Sequence, residues 1–308
     1  MARRPKAQWL QRTEYAAYRL IANRVRKLSD EGVARWGNRL GNAARRIIRG
    51  RDRLAMRNLR SVFPERSVEE LRHILDECWR HFGRETLISI QMQGMPRDEI
   101  AARCPTVNAE VLEDAMRSGN GTILMSGHYG GWEVGGLAIT TLVPSVRTVA
   151  RPLDNEYLER DLAALRASTG VEVIDRRRAA RALVRALGEN AVVVMLPDQA
   201  VLPREGILAP FLGRPAWTTD APAKLALRLR SRIVFAFCIP DGPRHRLEFE
   251  EPIRIDRLSD AESNPEALTK SINEVLSRRI AARPELWLWM HDRWKGTGPG
   301  ESEKQNGE

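Results

Sequence analysis

The pattern that most constrains this chain is a change in the spacing of its apolar residues after Gly119-Asn120-Gly121. From there on, short apolar runs typical of buried strands alternate with stretches of helical spacing. The predicted strands are Thr122–Ser126, Val146–Ala150, Val171–Ile174, Ala191–Leu196 and Ile233–Ile239. The predicted helices are Val134–Thr141, Asn155–Ser168, Arg177–Leu187, Ala221–Leu229 and Asn264–Ala282. This alternation predicts an α/β fold with a mostly parallel sheet and helices on both of its faces.

The part of the chain before residue 119 shows only helical spacing, so we expect a helical N-terminal extension. Trp9 to Leu28 reads as a basic amphipathic helix, in which arginines are interspersed among the apolar positions. A second basic helix is expected from Val33 to Val62. A third begins at Ser67, where Glu70 completes a capping box, and runs to about residue 93.

Positive charge is concentrated in this extension. Residues 1–60 carry 17 Lys and Arg against 4 Asp and Glu, whereas the rest of the chain carries 33 against 36. Such a segment favours an anionic partner, which we expect to be a membrane lipid surface, with the first helix either lying in the bilayer interface or packing on the domain. We therefore divide the chain into a basic arm (residues 1–60), an α/β domain (61–296) and a tail (297–308) expected to be disordered.

Several locations and redox states are disfavoured by the sequence. The longest uninterrupted apolar run, Ile233 to Ile239, is far shorter than the roughly 20 residues that a membrane-spanning helix needs. The first residues lack the apolar block of a secretory signal, so a cytoplasmic location is expected. Cys78, Cys104 and Cys238 have no C-x-x-C spacing and are expected to be buried free thiols.

The segment from Ser126 to Glu133 (SGHYGGWE) follows an apolar strand and precedes a helix, which is where α/β proteins place active sites. If His128 lies in the loop and Glu133 in the first turn of the helix, the glycines between them permit the bend that brings the two together. A carboxylate on one imidazole nitrogen fixes the tautomer and makes the other nitrogen a general base. The alternative is a histidine with a structural role or one that contacts phosphate.

Polar residues also follow two other predicted strands. Arg151 and Asn155 come after the strand that ends at Ala150, and Asp198 and Gln199 come after the strand that ends at Leu196. Taken singly, Arg151 is as often part of a surface ion pair, and Asp198 is as often the cap of a helix or turn. Because the carboxyl ends of parallel strands meet at one edge of the sheet, we expect these residues to converge on the crevice that holds His128.

In these motifs the chain resembles the bacterial lipid A late acyltransferases, within the lysophospholipid acyltransferase superfamily. The resemblance begins with the superfamily signature of a histidine, four residues and an acid, here His128 through Glu133. It covers roughly residues 50–296 and includes these ordered blocks: Arg57-Asn58-Leu59 with Phe63-Pro64, Arg151-Pro152 with Asn155, Pro197-Asp198-Gln199, Pro210-Phe211-Leu212-Gly213 with Thr218-Thr219, Pro284-Glu285, Trp287-Leu288-Trp289-Met290-His291 and Arg293-Trp294-Lys295.

The resemblance implies that His128 deprotonates an acceptor hydroxyl, with Glu133 as its orienting partner. The hydroxyl attacks the thioester of an acyl carrier protein, and the acyl group passes to a lipid A precursor without an acyl-enzyme intermediate. Arg151 is expected to neutralise acceptor phosphate or oxyanion charge, and Asp198 to hold Arg151 or the acceptor sugar, with Asn155 and Gln199 also binding substrate. The chemistry requires no metal and no cofactor.

One departure from the family is the basic stretch at residues 12–27, where relatives carry a hydrophobic membrane-spanning helix. We therefore expect peripheral attachment to the cytoplasmic face of the inner membrane. Other lipid acceptors also stay open: a phosphatidylinositol mannoside, a glycerolipid or an aminolipid.

A basic nucleic-acid-binding protein is the alternative from a different class. It is disfavoured because the α/β part is slightly acidic and lacks a recognition motif. A metallohydrolase would need a second ligand histidine that the spacing does not provide. The cluster of Trp287, Trp289 and Trp294 is more typical of core packing than of a wall that faces lipid. We assign no role to His73, His81 and His245.

Overall fold

The computed structural model describes residues 7–150, 152–175 and 179–297. Its centre is a seven-stranded sheet in the order β1-β9-β8-β2-β5-β3-β4. All neighbouring strands are parallel except β8 and β9, which pair antiparallel. The strands are β1 (Thr106–Val107), β2 (Thr122–Met125), β3 (Val146–Ala150), β4 (Val171–Asp175), β5 (Val192–Met195), β8 (Arg232–Asp241) and β9 (Arg244–Ile253), while β6 (Ile207–Phe211) and β7 (Arg214–Thr218) form a separate hairpin. The predicted α/β fold with a mostly parallel sheet is confirmed.

Helices cover both faces of the sheet. They are α1 (Gln8–Val25), α2 (Asp30–Ile47), α3 (Arg49–Val62), α4 (Val68–Met92), α5 (Arg97–Arg103), α6 (Glu110–Arg117), α7 (Trp132–Leu142), α8 (Glu156–Thr169), α9 (Ala179–Gly188), α10 (Ala221–Leu229) and α11 (Pro265–Ala282). The predicted capping box at the start of α4 is present. The predicted start of α9 at Arg177 lies outside the described residues.

The central strands are buried on both faces because their side chains alternate between two apolar cores. In β2, Ile123 and Met125 belong to one core, whereas Leu124 belongs to the other. In β8, Phe235 and Val234 divide in the same way. This double burial explains why these strands appear in the sequence as continuous apolar runs rather than as alternating ones.

The N-terminal helices differ from the sequence prediction at one point and pack closely at another. The single helix expected from Val33 to Val62 is broken at Ile48, whose backbone (φ −97°, ψ 52°) is not helical. Helix α2 then crosses α4 closely: a Cβ on Gly41 would lie 2.1 Å from the carbonyl oxygen of Trp79, and one on Gly83 would lie 2.1 Å from that of Gly37. The break at Ile48 lets α2 keep this close crossing while α3 follows a different direction.

Helix α1 packs on the domain with one face. Its Tyr15 hydroxyl donates to Asp161 of α8 at 2.6 Å, and its Tyr18 hydroxyl donates to Gln93 at 3.0 Å. Outside this packed face, Trp9, Leu20 and Ile21 are each more than half exposed. The helix is thus packed on the domain and still presents an apolar surface to its surroundings.

Sequence patterns did not reveal four of the strands that the structure describes. The stretch before residue 119 is not wholly helical, because β1 joins the sheet edge beside β9. Strand β9 and the β6–β7 hairpin were also missed, since charged and proline residues interrupt their apolar pattern. The three cysteines are buried free thiols, as predicted. Among the described residues, no helix combines the length and the apolar character that crossing a bilayer requires.

Candidate active site

His128 and Asp198 meet because the strands that precede them are neighbours. Strands β2 and β5 pair in parallel, with Met125 opposite Met195, so the residues that follow each strand emerge side by side. The imidazole Nδ1 of His128 lies 2.9 Å from Oδ1 of Asp198. The backbone N–H of His128 donates to Oδ2 of the same carboxylate at 2.8 Å. The predicted convergence of these two strand-end residues is therefore confirmed.

Asp198 is buried, with an exposed fraction of 1%, and each of its oxygens accepts hydrogen bonds. The indole N–H of Trp287 donates to Oδ2 at 2.9 Å. Burial alone would raise the pKa of Asp198, but the charge of His128 and the hydrogen bonds from His128 and Trp287 outweigh this, so its pKa is lowered. The carboxylate is therefore ionised and accepts a hydrogen bond from the Nδ1–H of His128. The proton stays on Nδ1, which leaves a lone pair on Nε2.

Nε2 of His128 faces the open side of the site. The side chain is 23% exposed, and the amide nitrogen of Gln199 lies 3.1 Å from Nε2. In the tautomer that Asp198 imposes, this amide donates to the lone pair. Gln199 thus occupies, in the free protein, the direction from which a hydroxyl would approach.

The pKa of His128 is raised by its carboxylate neighbours. Burial lowers it, but the charge of Asp198 and the hydrogen bond to it have the larger combined effect, and the charge of Glu133 adds to it. A histidine in this state is a stronger base than a free imidazole. The arrangement can accept a proton from a hydroxyl bound at Nε2 and return it to a leaving group.

Glu133 does not make the contact with the imidazole of His128 that the sequence suggested. It lies in the first turn of α7, as expected, but it is exposed, and among the described residues the carboxylate on Nδ1 is that of Asp198. Helix α7 begins at Trp132, and the exposed Glu133 side chain makes no hydrogen bond to His128 among the described residues. The carboxylate that orients the imidazole is that of Asp198, and Glu133 acts on His128 through its charge.

The same contacts change the expectation for Asp198. Its two oxygens are engaged by His128 and Trp287, and at 1% exposure it has no surface left for an acceptor sugar. The contacts support an orienting role in place of a substrate-binding one.

The turn between His128 and α7 rests on a buried polar cluster. Gly130 has φ +61°, and its carbonyl accepts a hydrogen bond from Nε2 of His81 at 3.2 Å. A Cβ on Gly131 would lie 2.6 Å from the Glu85 carboxylate, which in turn holds Nε2 of His245 at 2.9 Å. This cluster was not predicted from the sequence, because α4 and β9 bring its members together from distant parts of the chain.

The C-terminal block after α11 supplies the other side of the site. Besides the Trp287 bond to Asp198, Nε2 of His291 accepts the backbone N–H of Ala200 at 3.1 Å. Burial lowers the pKa of His291, which is consistent with a neutral acceptor nitrogen. Asn58 of α3 fixes this block by donating to the carbonyls of Trp289 and His291. The tryptophans are buried, as core packing predicts, yet Trp287 also holds the site carboxylate.

Asn155 and Arg151 are not part of the arrangement around His128 that the structure describes. Arg151 lies outside the described residues. Asn155 caps α8, where Oδ1 accepts from the N–H of Tyr157 and Leu158, and its amide donates to Gln11 and Glu14 of α1. Its side-chain oxygen is thus engaged in capping α8 and its amide nitrogen in holding α1 on α8, and its expected contact with substrate stays a prediction.

Within the described ranges, no group of three or more His, Cys, Asp or Glu side chains has the geometry to hold a metal ion. The site as described consists of the His128 imidazole, a buried carboxylate and hydrogen-bond donors.

Comparison with known proteins identifies the class: the chain is a member of a group of lipid-modifying acyltransferases. It belongs to the bacterial lipid A biosynthesis acyltransferase family, whose sequence model matches residues 3–296. The chain is 25% identical over 266 residues to the lipid A biosynthesis lauroyltransferase of Escherichia coli (strain K12), covering 85% of each protein. It is 23% identical over 263 residues to the lipid A biosynthesis myristoyltransferase of the same organism, covering 85% of this chain and 81% of that one. It is also 27% identical over 186 residues to the phosphatidylinositol mannoside acyltransferase of Mycobacterium tuberculosis (strain ATCC 25618 / H37Rv), covering 59% and 57%.

Proposed function

We propose that the protein transfers a fatty acyl chain from an acyl carrier protein thioester to a hydroxyl of a lipid A precursor, with His128 as the general base. The observation that carries the proposal is the His128–Asp198 pair at the ends of two adjacent parallel strands, with Nε2 facing the open side of the site. Family membership supports the acyl transfer, and the lauroyl- and myristoyltransferase relatives favour a lipid A acceptor.

The proton follows a short path. The acceptor hydroxyl displaces the Gln199 amide and donates its hydrogen to Nε2 of His128. As the proton moves to Nε2, the hydroxyl oxygen forms a bond to the thioester carbonyl carbon, and the carbonyl oxygen becomes an oxyanion. Collapse of this intermediate breaks the carbon–sulfur bond, and the thiolate leaves with the proton from Nε2. The products are an ester and the free thiol of the carrier protein, and His128 is neutral again.

Three further residues have assigned roles in this proposal. Asp198 stabilises the imidazolium that forms when Nε2 is protonated, because its ionised carboxylate accepts a hydrogen bond from Nδ1–H. Glu133 adds negative charge near the imidazole and supports the same protonated state. Arg151, next to the end of β3, neutralises acceptor phosphate or the oxyanion.

The acceptor is the less constrained part of the proposal. The phosphatidylinositol mannoside acyltransferase relative aligns over a shorter stretch than the lipid A enzymes do. The same chemistry at His128 serves any hydroxyl-bearing lipid, so a phosphatidylinositol mannoside, a glycerolipid or an aminolipid is the alternative acceptor.

The proposed partners are anionic. An acyl carrier protein and a lipid bilayer that bears negative charge both complement the excess of arginine in the first 60 residues. Peripheral attachment to the cytoplasmic face of the inner membrane would give the site access to a lipid acceptor and to a carrier protein at the same time. The exposed apolar side chains of α1 support this placement.

The experiment that tests the function is a transfer assay with defined donors and acceptors. Purified protein is incubated with lauroyl, myristoyl and palmitoyl acyl carrier protein and with each acceptor class, and products are followed by mass spectrometry. Acylated lipid A precursor supports the full proposal, whereas transfer only to another lipid retains the reaction and replaces the acceptor. Absence of transfer to every acceptor, together with tight salt-sensitive DNA binding, would leave the nucleic-acid-binding alternative in its place.

A further inference from the structure

The corner between α2 and α3 exposes two consecutive isoleucines. Ile47 is 80% exposed and Ile48 is 47% exposed. The backbone leaves the helical conformation at Ile48, so the pair stands where the chain changes direction between α2 and α3. Large apolar side chains concentrated at one exposed place mark a surface that contacts another body.

The apolar surface continues along α2. At about 100° per residue, Trp36, Leu40 and Ile47 fall within about 40° of one another on the helix, and all three are substantially exposed. A row of arginines lies about 60–100° to one side of Trp36 on the same helix, and its members are Arg35, Arg39 and Arg46. The guanidinium of Arg39 stacks 4.7 Å over the ring of Trp36. Helix α2 therefore presents an apolar stripe bordered by positive charge, outside the face that packs on α4.

A basic cavity of about 540 Å³ opens beside the same corner. Five arginines line it, together with two aspartates: Arg45, Arg46, Arg49, Arg53 and Arg80, with Asp52 and Asp76. Both aspartates pair with Arg45, and Arg80 pairs with Glu77. In the described part of the chain, Arg46, Arg49 and Arg53 have no carboxylate partner. The cavity thus gathers guanidinium groups whose charge the protein itself does not neutralise, which is the chemistry that binds phosphate groups.

We propose that this surface, the α2–α3 elbow (Trp36, Leu40, Ile47, Ile48 and the arginines of the cavity), docks on an anionic lipid bilayer. The isoleucines enter the apolar edge of the bilayer, and Arg46, Arg49 and Arg53 bind headgroup phosphates. The arrangement favours a bilayer over an acidic protein because the two exposed isoleucines are flanked in the chain by Arg46 and Arg49, which have no carboxylate partner in the described part of the chain. Apolar side chains at such a place can enter a soft lipid interface while the charged groups stay at headgroup level.

This inference deepens the proposed function by naming the part of the chain that meets the lipid surface. It rests on that function only in taking a bilayer lipid to be the substrate. The elbow is also tied to the site, because α3 carries Asn58, which holds the C-terminal block that contacts Asp198.

The first test is flotation of the full chain with vesicles of phosphatidylcholine, with and without phosphatidylglycerol. Arg49→Glu with Arg53→Glu is expected to weaken partitioning onto the anionic vesicles by about tenfold or more. The matched control is Arg244→Glu with Arg257→Glu, which makes the same change in net charge at exposed positions of β9 and the segment after it. Equal loss in both pairs would mean that only the net charge matters and would overturn the elbow as the docking surface.

The second test reports insertion directly. The native cysteines are buried, so Ile47→Cys can be labelled selectively with an environment-sensitive fluorophore. Addition of anionic vesicles is expected to shift its emission to shorter wavelength, whereas the same label at Leu208→Cys, another exposed apolar position, should not respond. No shift at position 47, or a shift produced by an acidic acyl carrier protein and not by vesicles, would overturn the proposal.

Further controls separate a loss of vesicle binding from a loss of folding and from a loss of acyl transfer. Thermal unfolding of each variant should match the parent chain, because all the substituted positions are exposed. Inorganic phosphate should compete with the headgroups and release the protein from vesicles more than chloride does at equal ionic strength, and equal release by the two salts would overturn phosphate binding by the arginines of the cavity. Because vesicle binding requires neither acyl donor nor turnover, its failure would leave the transfer reaction untouched, and failure of transfer would leave the vesicle result standing.

Discussion

The imidazole Nδ1 of His128 and the Oδ1 of Asp198 lie 2.9 Å apart although 70 residues separate them in the chain. The carboxylate selects the tautomer in which Nε2 is free to accept a proton. Asp198→Asn keeps the shape of this group but removes the charge that stabilises the imidazolium. We expect kcat to fall about 10²- to 10⁴-fold, measured by acyl transfer at saturating donor and acceptor.

The control for this variant is its fold. Asp198→Asn should still fold to the parental circular dichroism spectrum with one cooperative unfolding transition, although its free energy of unfolding should be lower because the amide nitrogen cannot accept the hydrogen bonds that the carboxylate accepts. A variant that folds normally and retains more than half of the parental kcat would contradict the orienting role of Asp198.

The pH dependence of the reaction follows from the raised pKa of His128. His128 acts as a base only when neutral, so kcat/KM should fall as pH falls through its pKa. Burial lowers this pKa, but Asp198 and, to a smaller extent, Glu133 raise it, so the acid limb should lie above the ordinary value of 6.5. Glu133→Gln should move the limb to lower pH, and Asp198→Asn should move it further. A limb that neither substitution moves would show that another group titrates.

Trp287 and Trp289 provide a matched pair of substitutions. Both indole N–H groups donate to buried acceptors, Trp287 to Asp198 and Trp289 to the carbonyl of Pro284. Replacement of either residue by Phe should lower the free energy of unfolding by about 1–3 kcal/mol, because an acceptor loses its donor. Only Trp287→Phe should also lower kcat, since only that bond reaches the carboxylate that orients His128. Denaturant unfolding and transfer kinetics on both variants test this, and equal kcat values would refute it.

The buried cluster beneath the glycine turn should make the fold sensitive to acid. Burial lowers the pKa of His81 to about 4, from an ordinary value of 6.5. The unfolded chain therefore binds a proton at a pH where the folded chain does not, so stability is intact above about pH 6.5 and falls as pH drops toward about 4, by up to about 3 kcal/mol.

His81→Gln is the variant that isolates this effect, because its amide can still donate to Gly130. The pH dependence of the unfolding free energy, measured with urea, should be shallower in the variant by this amount. Parallel curves for the two proteins across that pH window would contradict the role assigned to His81.

Sequence patterns predicted the sheet well because its central strands are buried on both faces. The run from Ile233 to Ile239 and the run that ends at Met125 could not be solvent-exposed, and the polar residues after such strands had to share one edge. The break at Ile48 was not predictable in this way, since it depends on how closely α2 can approach α4 through their glycines.

The site was predictable only where strand order decided it. His128 and Asp198 follow paired strands, so their convergence was expected. Which carboxylate reaches Nδ1 depends on where α7 begins and where Glu133 then points, and no periodicity encodes that. The cluster of His81, Glu85 and His245 is formed entirely by tertiary packing between α4 and β9. For that reason, both of its histidines looked isolated in the sequence.

The central claim is that His128 is the base in acyl transfer, and a single-turnover measurement tests it most directly. Acyl carrier protein loaded with a fatty acid is mixed with excess enzyme and lipid A precursor, and ester formation is followed by mass spectrometry for the parent chain and for His128→Ala. We predict rapid ester formation by the parent chain and a rate at least about 10²-fold lower for a normally folded His128→Ala. Equal rates for the two proteins would contradict the account.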